Sequence, residues 1–346
     1  MNSPIKQYDV TLEVIGPVHV GSGTILSKKS YVFSDKRHME MIDLEKMYSF
    51  LKKKGLAEKY EQYLKNDRKN IKFQDWLERN YIKISDIQDC VKYTIDCGDA
   101  IQIDSNDMQI SEHIKDPYGM PYIPGSSLKG MLRTILLSSD IINKPDKYSK
   151  LGRDMSFNIE KNKKRDLIEN VNNIESLGFN NMSGVIVSDS EPIGIDNMVL
   201  CGKLEGHVNG DAHRINTMRE CIKPGTLIKF TITIDETLCK LNLADIYIAV
   251  SNFVDCYNKC FISSFKNAQK LQNDYVVLGG GSGYVSKTIM YPLYGKEKGL
   301  SNVYKVLKKT HKNQKDLSEG VSPHIIKYTR YNGHTLQMGV CKLTIK

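Results

Sequence analysis

The segment DPYGMPYIPGSSLKGMLRTILL (116–137) restricts the fold more than any other part of the sequence. Three prolines and two glycines among its first ten residues prevent a regular helix or strand before Ser126. Serine is a common helix N-cap, and apolar residues follow Ser126 at the spacing of one helix face. These apolar residues are Leu128, Met131, Leu132, Ile135 and Leu136. The chain must therefore lead from an irregular loop directly into a helix that is buried on one side.

Alternating apolar and polar residues predict strands on both sides of this segment. Residues 8–15 (YDVTLEVI) and 227–235 (LIKFTITID) place an apolar side chain at every second position. Helices are predicted from the N-cap Asp43 to Lys54 and across roughly 242–270, and a last strand lies in QMGVCKLTIK (337–346). Strands and helices mix without the regular repeat of a barrel or a doubly wound sheet, so we predict an α+β fold.

Two stretches are polar and weakly patterned. Residues 56–115 contain only small apolar clusters, such as Phe73, Trp76 and Leu77, and we interpret them as a helical insertion rather than a separate core. Residues 138–183, with KNKKRD at 161–166, are interpreted as a long flexible connection. A chain of 346 residues has room for about two domains of ~150 residues, which excludes small scaffolds held by disulfides or metals.

The net charge of +9 is concentrated in the last part of the sequence. Residues 285–346 contain 12 Lys and Arg against 3 Asp and Glu, which leaves 37 against 37 in residues 1–284. A one-sided basic surface attracts polyanions, chiefly nucleic acid or an anionic membrane. The sequence has no run of 18 apolar residues, and MNSPIKQYDV at its start lacks the apolar stretch of a signal peptide. We therefore favour nucleic acid over a membrane as the partner and expect a cytoplasmic location.

The eight cysteines are scattered and include no C-x-x-C pair. Neither Cys256 with Cys260 nor His207 with His213 has a partner pair at ligand spacing. We therefore expect buried reduced thiols rather than disulfides or a zinc site, and neither a metal nor a cofactor.

Three segments, called glycine loops 1, 2 and 3, combine glycine with hydroxyl residues: VHVGSGT (18–24), IPGSSLKGMLR (123–133) and LGGGSGYVSK (278–287). Glycine lets backbone N–H groups converge on an anion, and a helix N-terminus adds unpaired donors. In loop 2, hydroxyl groups at 126 and 127 precede Lys129 and Arg133, which stand one turn apart on the predicted helix. Each loop is a candidate phosphate site. The alternative for loop 2 is that Ser126 only caps the helix and Gly130 only permits close packing.

Free-nucleotide motifs do not fit loop 3. GGSGYVSKT approaches the P-loop pattern, but Ser286 stands where a glycine is required, and the dinucleotide pattern fails at the same position. A polymer backbone is therefore the better ligand. Unstacked RNA bases stack on tyrosine rings, although each single tyrosine is better explained as a packing residue. The tyrosines beside these segments are Tyr118, Tyr122, Tyr284, Tyr291, Tyr328 and Tyr331.

Four segments, in their order along the chain, resemble the RAMP superfamily of CRISPR proteins, and more closely the fifth Csm subunit of type III-A effector complexes. They are DPYGMPYIPGSSLKGMLRTIL, VSDSEPI, RECIKPGTLIKFTITID and LGGGSGYVSKT. IPGSSLKG followed by an arginine is quite specific to RAMP proteins. The resemblance extends from residue 8 to residue 345, and residues 56–115 and 138–183 carry little of it.

The resemblance implies an α+β fold of two RRM-like (ferredoxin-like) βαββαβ domains. The first would span residues 1–235, with a helical insertion at about 43–115 and the flexible connection at about 138–183. The second, less regular domain would span residues 236–346 and carry the glycine-rich loop and the basic C-terminal portion.

The resemblance also implies a function. The subunit would bind crRNA, cap the filament of backbone RAMP subunits at the crRNA 3′ end, and be required for 3′ maturation without being the nuclease. Target RNA near that end and a trimming nuclease are further candidate partners. Whether Arg219 touches RNA or pairs with Glu220 or Asp189 stays open at this point. The implied RNA-contacting residues are His19, Gly21, Ser22, Gly23, Ser126, Ser127, Lys129, Arg133, Arg219, Gly280, Gly281, Ser282, Gly283, Tyr284 and Lys287.

The alternative function is a metal-independent crRNA-processing endonuclease, an activity found in some RAMP proteins. Such cleavage needs a general base and a general acid, and His19 is the only histidine beside a motif. Target-RNA cleavage by backbone subunits depends instead on an acidic loop residue. Among the acidic segments, DSE at 189–191 fits a magnesium site best, but one cluster is too small for two-metal chemistry. We expect no catalytic residue. The acidic loop candidates are Asp116, Asp154, Asp189 and Asp211.

Overall fold

A computed structural model of the protein describes residues 4–66, 71–100, 109–161, 182–308 and 315–346. The strands in these ranges are β1 (Ile5–Val14), β2 (Gly21–Leu26), β3 (Tyr31–Phe33), β4 (His38–Ile42), β5 (Val91–Asp96), β6 (Gln109–His113), β7 (Val185–Val187), β8 (Met198–His207), β9 (Ala212–Ile222), β10 (Leu227–Asp235), β11 (Tyr275–Val277), β12 (Ile325–Tyr331), β13 (His334–Gln337) and β14 (Val340–Ile345). The helices are α1 (Leu44–Lys53), α2 (Ala57–Lys65), α3 (Phe73–Arg79), α4 (Gly125–Asn143), α5 (Pro145–Glu160), α6 (Leu243–Cys260), α7 (Met290–Leu307) and α8 (Asp316–Glu319).

The first sheet contains five strands in the order β11-β14-β1-β10-β7, with every pair antiparallel. Its two long strands, β1 and β10, pair from Ile5 opposite Asp235 to Glu13 opposite Leu227. Every second residue of β10 is buried, as the alternation predicts. The inner face of this sheet and helices α4 and α6 share the main hydrophobic core.

The second sheet runs in the order β2-β6-β9-β8-β5-β4-β3, and β12 pairs with both β8 and β13. β11 and β14 join the first sheet while β12 and β13 join the second, so the sheets do not follow the boundary expected at residue 235. The reason is that strand pairing brings both ends of the chain together. The predicted α+β class is confirmed, and two sheets with packed helices agree with two ferredoxin-like domains.

The helical part of the predicted insertion covers only 44–90, because β5 and β6 belong to the second sheet. It also has a hydrophobic core of its own, which corrects the expectation from the sequence. Four aromatic rings pack there, with neighbouring centroids 5.4–6.2 Å apart. The sequence showed two of these rings, Phe73 and Trp76, as a small cluster, but not the two tyrosines that pack against them, because only one face of each helix is apolar. The four residues are Tyr60, Tyr63, Phe73 and Trp76.

The flexible connection predicted at 138–183 is wrong for residues 138–160, which are helical except for Lys144 at the junction of α4 and α5. In α5 the residues Tyr148, Leu151, Met155 and Ile159 are buried at the spacing of one helix face. Polar residues on the opposite face masked this stripe. Residues 162–181 lie outside the described ranges. The helix predicted across 242–270 ends at Cys260.

The N-cap of α4 lies two residues before the predicted position, Ser126. Pro124 occupies the N-cap position and makes no side-chain cap bond, so Ser126 lies inside the helix. The Gly125 N–H instead donates to Asp189 Oδ1 at 2.7 Å. A Cβ on Gly125 would lie 2.4 Å from the carbonyl oxygens of Val187 and Ser188, so β7 can approach α4 this closely only because residue 125 is glycine.

Seven of the eight cysteines are buried, as expected, and all eight are free thiols. No helix in the described ranges is long and apolar enough to cross a membrane.

Two glycines of the same helix should respond in opposite ways to alanine. We expect Gly125→Ala to lower the free energy of unfolding by about 1–3 kcal/mol, since its Cβ would overlap backbone oxygens of β7. A Cβ at residue 130 would have no atom within contact distance, so Gly130→Ala should raise the free energy of unfolding by about 0.5–1 kcal/mol. Urea denaturation measures both. A Gly125→Ala protein as stable as the parent would contradict the close contact of α4 with β7.

Candidate nucleic-acid interface

Glycine loops 1 and 3 are in contact. His19 and Gly280 form an isolated antiparallel bridge, and the Gly280 N–H donates to the His19 carbonyl oxygen at 2.6 Å. Gly279 has φ of +84°, and a Cβ there would lie 2.3 Å from the same oxygen. Glycine is therefore required at 279 both by the backbone conformation and by the close approach.

His19 itself is buried, with 4% of its surface exposed. Its Nδ1–H donates to the Glu220 carbonyl oxygen at 2.7 Å, and its ring meets His113 edge-on at a centroid distance of 5.9 Å. Burial, together with nearby positive charges, lowers the pKa of His19 to about 4. A neutral and buried imidazole fits a structural role better than proton transfer with a ribose hydroxyl.

His113 uses both ring nitrogens in the neutral form. Nδ1 accepts from the Val20 N–H at 3.2 Å, and Nε2–H donates to the Tyr122 carbonyl oxygen at 3.3 Å. Burial, then the neighbouring His19 and Lys115, lower the pKa of His113 to about 3. His113 thereby connects loop 1, through Val20, to the approach to loop 2, through Tyr122.

The buried carboxylate of Glu220 organises this region. It accepts hydrogen bonds from the Tyr93 hydroxyl at 2.9 Å and from the His113 backbone N–H at 3.0 Å, and it forms an ion pair with Lys115. Burial and the Glu220 charge raise the pKa of Tyr93. The carboxylate thus ties β5, β6 and β9 together beside His19.

Arg219 lies on the opposite face of β9 from Glu220 and approaches loop 3. Its Nη1 is 2.8 Å from where a Cβ on Gly281 would stand. Nη1 is also buried and has no hydrogen-bond partner among the described residues. Neither pairing left open by the sequence is formed in those ranges, since Glu220 binds Lys115 and Asp189 accepts from the start of α4. A buried donor without a partner is costly, and an incoming anion would satisfy it.

Two lysines lie close enough to Arg219 for its charge to act on them, and a third lies beside one of the two. Burial and the Arg219 charge lower the pKa of Lys287, the last residue of loop 3 and of the 3₁₀ turn that ends it. Burial, Lys327 and Arg219 similarly lower the pKa of Lys203 on β8. Lys327 on β12 pairs with Glu205. We call Lys203, Arg219, Lys287 and Lys327 the cationic cluster.

The serines of loops 1 and 3 are engaged within the protein. Ser22 lies between Gly21 and Gly23 at the start of the exposed edge strand β2, and its Oγ donates to Glu112 Oε2 at 3.1 Å. Ser282 is buried and its Oγ donates to the Gly279 carbonyl oxygen at 2.8 Å, which closes loop 3. Gly283 and Tyr284 lie beside the cationic cluster, where a Cβ on Gly283 would be 3.9 Å from Lys327 Cγ.

Loop 2 lies at the N-terminus of α4, where two donors are already occupied. Gly125 donates to Asp189, and the Ser127 N–H lies 2.9 Å from the Pro124 carbonyl oxygen. Ser126 is exposed, while Ser127, Lys129 and Arg133 are half-buried. Their RNA contacts stay a prediction.

The acidic loop candidates mostly stabilise local structure. Asp116 accepts from the Tyr118 and Met120 N–H groups, Asp211 accepts from Asn209, and Asp154 is exposed on α5. The described residues contain no group of three or more His, Cys, Asp or Glu that could hold a metal ion.

Sequence reasoning missed Glu220, Lys115, Lys203 and Lys327. Glu220 directly follows Arg219, so strand alternation alone could have assigned these two residues to opposite faces. Lys203 and Lys327 carry no motif, and only the pairing of β8 with β12 brings them together.

The two buried histidines predict a loss of stability in mild acid. Both have a folded-state pKa below the unfolded value of about 6.5, so the unfolded protein binds protons first as the pH falls. Stability is therefore complete above about pH 6.5 and decreases toward pH 4, by ~2 kcal/mol for each histidine between pH 7 and pH 5. His113→Gln keeps a donor and an acceptor without titrating, so urea denaturation should show a smaller decrease.

His334 is exposed and provides the control, because His334→Gln should keep the full pH dependence. Equal decreases in the parent and in His113→Gln would show that the His113 pKa is not lowered by burial.

The sequence also matches known proteins. The RAMP superfamily model matches residues 11–327. The CRISPR system Cms protein Csm5 of Enterococcus italicus is 26% identical over 342 residues, which cover 89% of this chain and 87% of that protein. The protein of the same name from Mycobacterium tuberculosis is 24% identical over an alignment of 383 residues with its gaps, which covers 100% of this chain and 99% of that protein.

Two solved structures share the fold. A chain of the Csm-crRNA-target RNA ternary complex of a type III-A CRISPR-Cas system superposes with a TM-score of 0.65 at 21% identity, covering 97% of this chain and 100% of that chain. The crystal structure of T. onnurineus Csm5 superposes with a TM-score of 0.58 at 19% identity, covering 96% of this chain and 99% of that chain. With the family match spanning most of the sequence, the chain belongs to the RAMP superfamily.

Proposed function

We propose that this protein is a non-catalytic crRNA-binding subunit of a type III-A CRISPR effector complex. In this role it caps the filament of backbone RAMP subunits at the crRNA 3′ end and is required for 3′ maturation of the crRNA. Membership of the RAMP superfamily and the names of its relatives support the assignment to an effector complex. The observation that carries RNA binding is the cationic cluster beneath loop 3, with the unpartnered Nη1 of Arg219.

The cationic cluster suits phosphate for two physical reasons. Three of its four side chains are partly withdrawn from water, which strengthens their attraction to an anion, and Lys287 is exposed. Guanidinium and ammonium groups form charge-assisted hydrogen bonds with phosphate oxygens. Gly281 and Gly283 have φ of +83° and +90°, so the loop above the cluster presents backbone without Cβ atoms.

The cationic cluster combines residues from the basic last part of the sequence with residues from the part that has no net charge. Lys287 and Lys327 come from the basic last part of the chain, whereas Lys203 and Arg219 come from the part with no net charge. RNA binding therefore depends on local clustering as well as on total charge.

The geometry of His19 supports a non-catalytic assignment. A general base for cleavage must reach the 2′-hydroxyl and have a pKa near the working pH. His19 is buried, both its backbone carbonyl and Nδ1 are engaged, and its pKa is lowered to about 4.

Removal of one cation should weaken RNA binding and reduce its salt dependence. The slope of log affinity against log salt concentration is negative, and we expect Arg219→Gln and Lys287→Gln each to reduce its magnitude by about 0.7–1, since each residue neutralises one phosphate. Fluorescence anisotropy with labelled crRNA over a salt series measures this. The loss should be similar for different RNA sequences, because phosphate contacts position the RNA rather than specify its bases.

Lys229→Gln is the matched control. Lys229 is 60% exposed and pairs with Glu191 at 3.6 Å at the first sheet, so its loss should leave the slope unchanged. An unchanged slope in Arg219→Gln and Lys287→Gln would contradict the cationic cluster as the RNA site. The same titration on a Lys129→Ala, Arg133→Ala double variant decides whether loop 2 also contacts RNA.

A cleavage assay separates the proposal from the endonuclease alternative. We expect purified protein to leave precursor crRNA intact in EDTA, because His19, the histidine of the endonuclease alternative, is buried and its pKa is lowered to about 4. Denaturing gel electrophoresis detects the products. Specific cutting that disappears in His19→Gln, with RNA affinity and stability retained, would overturn the non-catalytic assignment.

A further inference from the structure

A cavity of about 390 Å³ lies between loop 3 and the second sheet. Its floor carries Lys203, Glu205 and Lys327, from β8 and β12. Its roof is the Ser282–Val285 part of loop 3, and its sides are formed by residues of α6, by the end of α7 and by the segment 323–326. The cavity therefore adjoins the cationic cluster and has walls from several elements.

The polar end of the cavity carries an excess of positive charge. Lys327 pairs with Glu205 Oε1, and Lys203 Nζ lies 3.8 Å from the same oxygen, so two lysines share one carboxylate. All three side chains are only about one-fifth exposed, at 20%, 19% and 23% for Lys203, Lys327 and Glu205. A half-buried group with a formal charge of +1 is stabilised by an anion.

The charge of Arg219 adds to this excess. Arg219 stands opposite Cys201 on β8, and its charge acts on Lys203 two residues further along that strand, so the two cations lie near each other. The other acidic group at the cavity, Asp316, is fully buried and already pairs with His324 and accepts from Ser322. Its oxygens are therefore occupied by donors of the wall, which include the Ser322 hydroxyl and the His324 backbone N–H.

The remaining lining is largely apolar and aromatic. It includes Tyr257, Phe261, Tyr284, Val285 and Leu307. Such a wall suits a flat heterocycle, and aromatic rings stack on nucleic-acid bases. Ligand pockets range over ~300–1,000 Å³, so 390 Å³ is the size for one small ligand rather than for a strand.

We propose that this cavity binds one nucleoside monophosphate unit, with its phosphate at Lys203 and Lys327 and its base against the apolar wall. The unit comes either from the bound RNA, as one nucleotide turned out of the strand, or from a free nucleotide. The first source rests on the proposed RNA-binding function, and the second does not.

Two variants test the two ends of the cavity separately. Lys203→Gln removes the excess charge and leaves Lys327 and Glu205 as a balanced pair, so no buried carboxylate loses all its partners. Leu307→Trp fills the apolar end without a change of charge. Lys342→Gln is the control, because Lys342 is half-exposed on β14 and pairs with Asp274 at 3.7 Å in the other sheet. Thermal unfolding checks that each variant folds.

The probes are adenosine and uridine monophosphates, inorganic phosphate, and a short single-stranded RNA with a fluorescent adenine analogue at one position. Calorimetry measures the free nucleotides, and the quenching of the analogue reports its insertion. We expect Lys203→Gln to weaken nucleotide binding about tenfold or more, as loss of a charge-assisted hydrogen bond does. Leu307→Trp should abolish binding of nucleotides but not weaken any binding of phosphate alone. Lys342→Gln should match the parent.

The outcomes identify the source and separate the two proposals. Saturable binding of free nucleotide, lost in both variants, supports the cavity even if RNA does not bind, and that result would refute only the proposed function. If free nucleotides do not bind but the adenine analogue in the RNA is quenched, and both variants lose that quenching, the cavity proposal is supported with RNA as the source of the nucleotide. If RNA binds but neither variant changes nucleotide binding or quenching, the cavity proposal is wrong and RNA binding stands.

Discussion

The buried carboxylate of Glu220 is the interaction on which the surrounding structure depends. It receives the Tyr93 hydroxyl, the His113 N–H and the Lys115 ammonium group, and so connects strands that are distant in sequence. Removal of one partner from a buried ion pair costs ~3–5 kcal/mol, because the remaining charge stays away from water. The Glu220 carbonyl oxygen also holds His19, whose own carbonyl fixes the start of loop 3.

The position of Arg219 follows from that of Glu220. Successive residues of a strand face opposite sides of the sheet, so a carboxylate directed into the core places the preceding guanidinium on the other face. There Arg219 meets loop 3 and raises the positive potential at Lys203 and Lys287. The same two consecutive residues thus stabilise the fold and form the proposed RNA site.

Sequence reasoning was most accurate where a local pattern has a direct physical cause. Alternation located β1 and β10, and the prolines before residue 125 located the start of α4 to within two residues. It failed where composition hid a pattern, as in α5 and in the aromatic core of the insertion. In both places a polar outer face outweighs the buried residues in number, although burial of the apolar face stabilises the helix.

The amino-acid sequence alone was enough to predict the α+β class, the helix that begins within loop 2, the family resemblance and the presence of three glycine loops in a basic chain. It could not determine which of these loops meet, because contacts between distant segments depend on strand pairing and not on local spacing. The tertiary structure decided that loops 1 and 3 touch at His19 and Gly280, and that Lys203 and Lys327 converge beside Arg219. It also decided that His19 is buried and neutral, since a side chain's exposure and pKa depend on what the fold packs around it.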